Sequence, residues 1–224
     1  MQEEAQREQL LCLWNLLMNV KMNLWQTNPC DAWHAAFDRY VDTIRAQGVN
    51  GLPEIDAWYR EELPALIPAR KPAYVTLAEL ERATVWKMKR GVWRERNRLL
   101  VRGNPSAKVK QTSQDAFDAV PDPRKPVDIL STLAGVGPAT SSAVLACSAP
   151  AIYPFFDELV AAQIPGLGKV AFTATYYQRY AAALRERTVQ LNRHCNHREW
   201  TAHEVSQALW AESGGKVGQE MGRA

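Results

Sequence analysis

Two glycines placed two residues apart, Gly135 and Gly137, lie between two helical patterns in a chain of 224 residues. Glycine permits the left-handed backbone of a tight turn, and Pro138 directly afterwards favours the first turn of a helix. Val136, between the glycines, can point inward as an apolar plug. The N–H groups of that first helical turn have no partner within the helix, so they can bind an anion such as phosphate. A ligand-free connection between two packed helices would use the same glycines, so both interpretations stay open at this point.

The segment from Trp86 to Lys110 has the largest charge imbalance in the chain. One acid, Glu95, stands against nine basic side chains: Lys87, Lys89, Arg90, Arg94, Arg96, Arg98, Arg102, Lys108 and Lys110. Such a cluster gains affinity for a polyanion by releasing counterions from its phosphates. Trp86 and Trp93 could stack on an unpaired base, although packing in the core is the commoner role for each. We predict nucleic-acid contacts by Lys87, Lys89, Arg90, Arg94 and Arg96.

The whole string around the glycines is more specific than the glycines alone. Residues 133–145 read L-A-G-V-G-P-A-T-S-S-A-V-L. This string resembles the helix-hairpin-helix of the DNA glycosylase superfamily that is named after its hairpin and its Gly-Pro-Asp motif. In that family the hairpin binds one DNA strand through backbone amides, often with a monovalent cation held by hairpin carbonyls. The resemblance implies a two-lobed, glycosylase-like helical fold and DNA contacts by Gly135, Val136, Gly137, Ala139 and Thr140.

The same resemblance requires an aspartate at a fixed distance beyond the hairpin. Asp157 lies eighteen residues after Ala139, which is the spacing typical of the family's catalytic pair. In active members this carboxylate stabilises the sugar cation as the base departs, or activates the attacking water. Bifunctional members have a nucleophilic lysine where this chain has Ala139, so the resemblance implies monofunctional base excision. Asp157 is equally suited to cap the following helix, and Glu158 adds a second carboxylate beside it.

A second resemblance covers roughly residues 76–165. The segment from Trp86 to Arg96 fits W-K-x-x-R-G-x-W-R-x-R, which resembles a segment of little-characterised eukaryotic proteins that also carry such a hairpin. That group brings no established activity, but together with DNA contact it favours a nuclear, intracellular location. We expect the wall of a base pocket to draw on Trp86, Trp93, Tyr153, Phe155, Phe156 and Glu158.

The periodic segments have the 3.6-residue spacing of helices, which predicts an all-α protein. Besides the hairpin, the predicted helices cover residues 10–20, 33–44, 53–58, 77–90, 93–101, 173–191 and 201–211. Thr76 with Glu79 forms a capping-box pattern, and Gly91 can end the helix that it begins. Predicted loops cover residues 64–75, 103–114 and 121–126.

The predicted helices group into two lobes that share one cleft. We expect an N-terminal helical lobe over residues 1–120, which includes the basic segment 86–110, and a hairpin lobe over residues 121–192. A C-terminal helix over residues 193–212 would return to the N-terminal lobe, and residues 213–224 would form a flexible tail. With 46% hydrophobic residues the chain can bury two small lobes that share a cleft, with Asp157 at its mouth.

Composition argues against several other classes. The four cysteines are far apart and include no C-x-x-C pair, so we expect no stabilising disulfide and a reducing compartment. The N-terminus lacks the basic start of a secretory signal, and the apolar stretch over residues 10–18 is too short to span a membrane. No zinc motif fits the histidines and cysteine near the C-terminus, so we predict no metal and treat these residues as helix-end or surface residues: His194, Cys195, His197 and His203. The four-cysteine pattern of an iron–sulfur cluster is also missing.

Two other functions compete with base excision. A non-catalytic module could use the same hairpin to recognise DNA architecture or a chromatin partner, with Asp157 acting only as a helix cap. Alternatively the hairpin could serve protein contacts only, and the sequence names no protein partner. The leading hypothesis remains a DNA-binding, glycosylase-like protein in which Asp157 is the catalytic carboxylate.

Overall fold

The computed structural model describes residues 23–26, 29–195 and 198–220, and these residues form helices and connecting turns without any β-strand. The predicted all-α fold class is thus confirmed. The helices are α1 (Cys30–Asp38), α2 (Tyr40–Ala46), α3 (Leu52–Ala57), α4 (Leu63–Leu66), α5 (Leu77–Arg90), α6 (Glu95–Arg102), α7 (Ser106–Asp118), α8 (Lys125–Leu130), α9 (Pro138–Ser148), α10 (Glu158–Ala161), α11 (Ala174–His194), α12 (Ala202–Glu212) and α13 (Gly215–Glu220). A 3₁₀ helix, Leu24–Gln26, precedes α1, and a π-helical turn, Trp58–Glu62, joins α3 to α4. The predicted helix over residues 10–20 lies outside the described residues.

Two helices begin at side-chain capping boxes, and the sequence predicts the one at Thr76. At the start of α5 the Thr76 hydroxyl accepts the Glu79 N–H, and the Glu79 carboxylate accepts the Thr76 N–H. Thr201 and Glu204 make the same reciprocal pair at the start of α12. Each pair satisfies two N–H groups that the first turn would otherwise leave without partners, so the residue at which each helix begins is fixed. Gly91 follows the last residue of α5, as predicted.

The predicted loop over residues 103–114 is wrong, because most of it belongs to α7. The buried face of α7 consists of Val109, Thr112, Ser113 and Ala116. Two of these four residues carry hydroxyl groups, so the apolar periodicity that marks an amphipathic helix is weak here. The Ser113 hydroxyl accepts the Val75 N–H at 3.1 Å, which ties α7 to the chain entering α5.

The predicted flexible tail is also wrong in part, because residues 215–220 form α13. The side chain of Gln47 holds this helix in place. Its amide nitrogen donates to the carbonyl of Gly214 at 3.1 Å, and its oxygen accepts the N–H of Lys216 at 3.0 Å. These bonds bring the C-terminal segment back to the end of α2, and residues 221–224 lie outside the described part of the chain.

The C-terminal helix α12 packs against the N-terminal helix α1 and against α11, while α9 packs against α5 and α8. Large aromatic side chains fill these contacts, with Trp33, Trp86 and Trp210 fully buried. Truncating one such tryptophan to alanine would cost about 3–5 kcal/mol. Of the helices that the structure describes, none combines the length and the apolar character needed to cross a membrane.

Cys30 and Cys195 form a disulfide, with their Cα atoms 5.5 Å apart. The expectation that the chain has no disulfide is therefore wrong. The pair is separated by 165 residues, so no local spacing marks it in the sequence, and it joins the start of α1 to the end of α11. The argument for a reducing compartment rested on unpaired cysteines and loses that support. Cys147 is free and buried.

Candidate functional site

The turn between α8 and α9 has the backbone that its glycines predict. Gly135 has a φ of +74°, in the left-handed region that favours glycine, and Val136 is buried below the turn. Val136 donates its N–H to the carbonyl of Leu133 at 3.2 Å. The amides of Gly135, Gly137 and Ala139 donate no hydrogen bond to any residue that the structure describes. The turn therefore presents three N–H groups that could donate hydrogen bonds to an anion.

The turn lies directly on α6, and this contact leaves no room for a side chain at Gly135. A Cβ atom there would lie 2.6 Å from the carbonyl oxygen of Asn97 and 2.8 Å from the Cβ of Leu100. Gly137 differs, because a Cβ atom at this position would meet nothing within 4 Å. Close packing thus dictates the first glycine, whereas the second faces open space.

Asn104 fixes the turn against the end of α6. Its side-chain oxygen accepts the N–H of Ala134 at 2.9 Å, and its side-chain nitrogen donates to the carbonyl of Ala134 at 2.9 Å. The same nitrogen contacts the carbonyls of Leu100 and Val101, which end the helix. Asn104 is buried, and it satisfies backbone groups that would otherwise be left without partners. The sequence analysis missed this residue because it placed it in an exposed loop.

A cleft of about 340 Å³ opens beside the turn. Residues from the hairpin, from α5 and from the start of α10 line it together. The predicted site residues among them are Lys87, Arg90, Arg94, Gly135, Gly137, Ala139, Thr140, Phe155, Phe156, Asp157 and Glu158. The structure adds Asn97, Phe172 and Lys216, which the sequence analysis did not single out. Lys216 reaches the cleft because α13 is folded, and Phe172 lies against the Phe156 ring with centroids 5.2 Å apart.

Other residues of the predicted base pocket lie elsewhere. Trp86 is fully buried and stacks on Tyr59, with ring centroids 3.5 Å apart, so it belongs to the core. Tyr153 is buried, and its hydroxyl donates to the carbonyl of Asp122 at 2.7 Å. Trp93 is half exposed and does not line the cleft. The prediction that these three rings line a pocket is wrong, and of the two tryptophans only Trp86 has the core role that we considered commoner.

The basic segment is divided between faces rather than gathered on one. Lys87 and Arg90 are three residues apart on α5, so they share a face, which is the face towards the cleft. Lys89 lies on another face and donates to the carbonyl of Asn50. Arg96 is exposed but does not line the cleft. Lys89 and Arg96 therefore lie outside the cleft, and their contacts with DNA stay a prediction.

Arg90 is buried at the bottom of the cleft, with 3% of its surface exposed. Its guanidinium carbon lies 4.2 Å from the ring centroid of Trp210 and 5.1 Å from that of Phe155. The ring centroids of Trp86 and Tyr40 lie 5.4 and 5.5 Å from the same carbon, so four rings enclose it. Burial lowers the pKa of Arg90, but the negative groups around it outweigh burial and raise that pKa overall. The residue stays charged. The sequence predicts a contact between Arg90 and a DNA backbone at the surface. The enclosed side chain has almost no exposed surface with which to make it.

Asp157 has both carboxylate oxygens engaged. One oxygen accepts the N–H of Leu159 at 2.8 Å and so caps α10, as the sequence predicts. The other lies 3.5 Å from a guanidinium nitrogen of Arg90. The side chain keeps 13% of its surface exposed, towards the cleft, and Glu158 beside it is exposed. The cleft thus contains one positioned carboxylate and one that can move.

A buried polar network lies beneath Arg90. The carboxylate of Asp56 accepts the Tyr40 hydroxyl and the Trp86 indole N–H, both at 2.9 Å. Its second oxygen accepts the Arg60 N–H at 2.7 Å. The Tyr40 hydroxyl also lies 3.4 Å from a nitrogen of Arg90. Because these groups are buried and hydrogen-bonded, they hold Arg90 in one orientation.

His203 is buried rather than at the surface, so the prediction of a surface role is wrong. Its Nδ1 accepts the N–H of Phe155 at 3.3 Å. Burial, with a further contribution from Arg90, lowers the pKa of His203 to about 3. The imidazole is neutral at neutral pH, which its role as an acceptor requires. In the described residues no group of three or more His, Cys, Asp or Glu side chains is arranged to hold a metal ion.

Three carbonyls of the hairpin, where the resemblance implies a monovalent cation, accept hydrogen bonds. The carbonyl of Leu133 accepts the Val136 N–H, and that of Ala134 accepts the side chain of Asn104. The carbonyl of Gly137 accepts two N–H groups from the first turn of α9. These three oxygens accept hydrogen bonds within the protein, and the cation stays an expectation from the resemblance.

Comparison with known proteins adds nothing to this geometry. Scanning the chain against protein-family models, and searching curated proteins and solved structures with it, gave no match. What the site can do must therefore be argued from its own residues. It combines unpartnered backbone amides, cationic side chains, aromatic rings and two carboxylates within one cleft.

Proposed function

We propose that this protein binds a DNA strand at the Gly135–Gly137 turn and receives one extruded nucleotide in the cleft beside Asp157. The observation that carries the proposal is that one cleft is lined both by Asp157 and by Gly135, Gly137 and Ala139, three residues whose amides have no partner among the described residues. An anion held by the amides would place the adjoining sugar within reach of the carboxylate.

The positive groups of the cleft support a polyanionic ligand. Arg94, in the chain before α6, and Lys216, on α13, both line the cleft. Each phosphate that they neutralise releases a counterion, which favours binding most strongly at low salt. The exposed ring of Phe172, which lies against the buried Phe156, provides an aromatic surface on which a base can stack.

The chemistry that fits is hydrolysis of the bond between base and sugar. Asp157 is held in one orientation by Leu159 and Arg90, so its negative charge is preorganised beside the place where a sugar cation would form. Ala139 offers no nucleophile at the hairpin position, so in the excision step water attacks the sugar and the base leaves. A nuclear location remains the expectation that follows from DNA contact.

A second candidate, a non-catalytic DNA-binding module, is favoured by the pairing of Arg90 with Asp157. A guanidinium 3.5 Å away already neutralises much of the carboxylate charge, which weakens the stabilisation that Asp157 can give to a sugar cation. The same cleft would then recognise an extruded or unpaired nucleotide without breaking a bond.

A strand-cleavage screen separates the two candidates. Duplexes that carry common base lesions are incubated with the protein, treated with alkali and analysed for strand breaks, and binding of the same duplexes is measured in parallel. Breaks that vanish in Asp157→Asn while binding is retained would support base excision. The matched control is Asp115→Asn, an exposed aspartate on α7 outside the cleft, which should cleave like the wild type.

The remaining outcomes decide between the alternatives. Binding without breaks on any substrate would favour the non-catalytic module. Failure to bind any nucleic acid at low salt would contradict both candidates and leave protein contacts as the role of the hairpin.

A further inference from the structure

Lys87 is a lysine without a partner inside the candidate site. It lies on α5 one turn before Arg90, it is partly buried, and it lines the cleft that contains Asp157. Among the described residues its ammonium group makes neither a hydrogen bond nor an ion pair. Lys89, two residues later, is bonded to the carbonyl of Asn50 instead. An amine that is kept partly from water without compensation usually has a chemical reason to be there.

The surroundings of Lys87 favour its neutral, nucleophilic form. Burial lowers the pKa of Lys87, and the nearby guanidinium of Arg94 lowers it further. Desolvation beside a second cation is one way in which proteins activate a lysine for attack on a carbonyl. A lysine selected only to bind phosphate would gain from the charged form, so this environment suits a nucleophile better than an anchor.

We propose that Lys87 is an amine nucleophile that forms a Schiff base with the ring-opened aldehyde of an abasic deoxyribose in the cleft. The proposal rests on the proposed function in one respect, which is that the cleft holds a DNA strand. It extends that function, because hydrolytic base excision leaves such an aldehyde as its product. The nucleophile comes from α5, whereas the hairpin position that the resemblance would use is Ala139.

The reaction needs no further reagent. The Lys87 amine adds to C1′ of the aldehyde, and loss of water with uptake of one proton from solvent gives a protonated imine. The imine acidifies the C2′ hydrogen, and the Asp157 carboxylate accepts this proton. The electron pair of the C2′–H bond forms a C2′–C3′ double bond, the C3′–O bond breaks, and the 3′ phosphate leaves with its electron pair. Water then hydrolyses the imine, which releases an unsaturated aldehyde and returns the free amine.

The experiment traps the imine on DNA. A duplex with one abasic site is incubated with the protein and sodium cyanoborohydride, and covalent adducts are separated on a denaturing gel and mapped by mass spectrometry. We expect an adduct at Lys87 and a loss of at least about tenfold in trapping rate in Lys87→Arg and Lys87→Gln. Binding of a duplex with a tetrahydrofuran site, which has no aldehyde, should change much less in Lys87→Arg, because arginine is of similar length and can still donate hydrogen bonds to phosphate. Lys89→Arg is the matched control, since it changes a lysine of the same helix outside the cleft.

Three outcomes would overturn the inference. These are an adduct that maps to Lys216, trapping that persists in Lys87→Arg, and binding of the abasic duplex without any adduct. If no DNA binds, the proposed function fails instead, and a second probe still tests Lys87. Incubation with 2-deoxyribose 5-phosphate and cyanoborohydride should label Lys87 before Lys89, and equal labelling of the two would contradict an activated amine at Lys87.

Discussion

The guanidinium of Arg90 lies 3.5 Å from the carboxylate of Asp157, and four aromatic rings hold it there. This contact joins the end of α5 to the start of α10 at the bottom of the cleft. Because the other oxygen of Asp157 caps α10, neither oxygen is free to rotate away. The pair therefore determines the orientation of the carboxylate around which the proposed site is built.

Replacing Asp157 tests how much this pair contributes to stability. Asp157→Asn keeps an oxygen for the cap but leaves the buried charge of Arg90 without its partner, so we expect the free energy of unfolding to fall by about 1–3 kcal/mol. Asp157→Ala also loses the cap, which should cost about 1 kcal/mol more. Urea unfolding at neutral pH measures both. Equal stability of Asp157→Asn and the wild type would mean that the pair contributes nothing measurable.

The two glycines of the turn should respond differently to the same change. Gly135→Ala puts a Cβ atom 2.6 Å from the Asn97 carbonyl oxygen in a left-handed backbone, so it should lower the free energy of unfolding by more than about 1 kcal/mol. Gly137→Ala meets no atom within 4 Å, so its stability should stay near that of the wild type. Thermal unfolding of the two variants side by side checks this. A stable Gly135→Ala protein would show that the turn does not pack on α6 in this way.

Asn104 should matter to the turn although it lies outside the cleft lining. Asn104→Ala leaves the partly buried N–H of Ala134 without its acceptor, which should cost about 0.5–1.5 kcal/mol and loosen the turn. We expect weaker DNA binding as a consequence, since the amides of the turn would no longer be held in place. Gln111→Ala, on the neighbouring helix α7, is the control, because that side chain is exposed and its hydrogen bond goes to Asp115. Equal effects of the two substitutions on unfolding would refute the clamp.

His203 should make the fold sensitive to acid. Its pKa is about 6.5 in the unfolded chain and about 3 in the folded protein, so between these values the unfolded state binds the extra proton. Stability should therefore fall as the pH drops from about 6.5 towards 3, by up to about 1.4 kcal/mol per pH unit from this residue. Above pH 6.5 the residue is neutral in both states and has no such effect. Denaturant midpoints across this range should show a shallower slope in His203→Gln than in the wild type.

The sequence predicts the local features of this protein better than the distant contacts. Thr76, Gly91 and the Gly135 turn follow from residue type, because caps and left-handed turns depend on a few neighbouring residues. The disulfide between Cys30 and Cys195 does not, since packing of segments that are far apart in the chain creates it. Helix α7 was missed because hydroxyl groups occupy half of its buried face.

The sequence predicted some of the residues that line the cleft and misplaced others. The hairpin, Asp157 and the two phenylalanines before it do meet in one cleft. Composition alone could not divide the basic segment between faces, and it could not place Lys216 in the cleft from a segment expected to be flexible. A buried arginine beside Asp157 was also unforeseen, because sequence charge does not distinguish a solvated arginine from an enclosed one.

The most direct test of the central claim is the salt dependence of DNA binding. Fluorescence anisotropy with a labelled abasic-analogue duplex would compare the wild type, Arg94→Glu with Lys216→Glu, and Lys108→Glu with Lys110→Glu. The last pair makes the same charge change in exposed residues outside the cleft.

We predict that the cleft pair loses at least about tenfold in affinity at moderate salt. Its slope of log K against log salt should be shallower than that of the wild type by about 1.8, which corresponds to two lost phosphate contacts. The control pair should change both quantities much less. Equal losses in the two pairs, or no binding at any salt concentration, would contradict the claim that a DNA strand lies in this cleft beside Asp157.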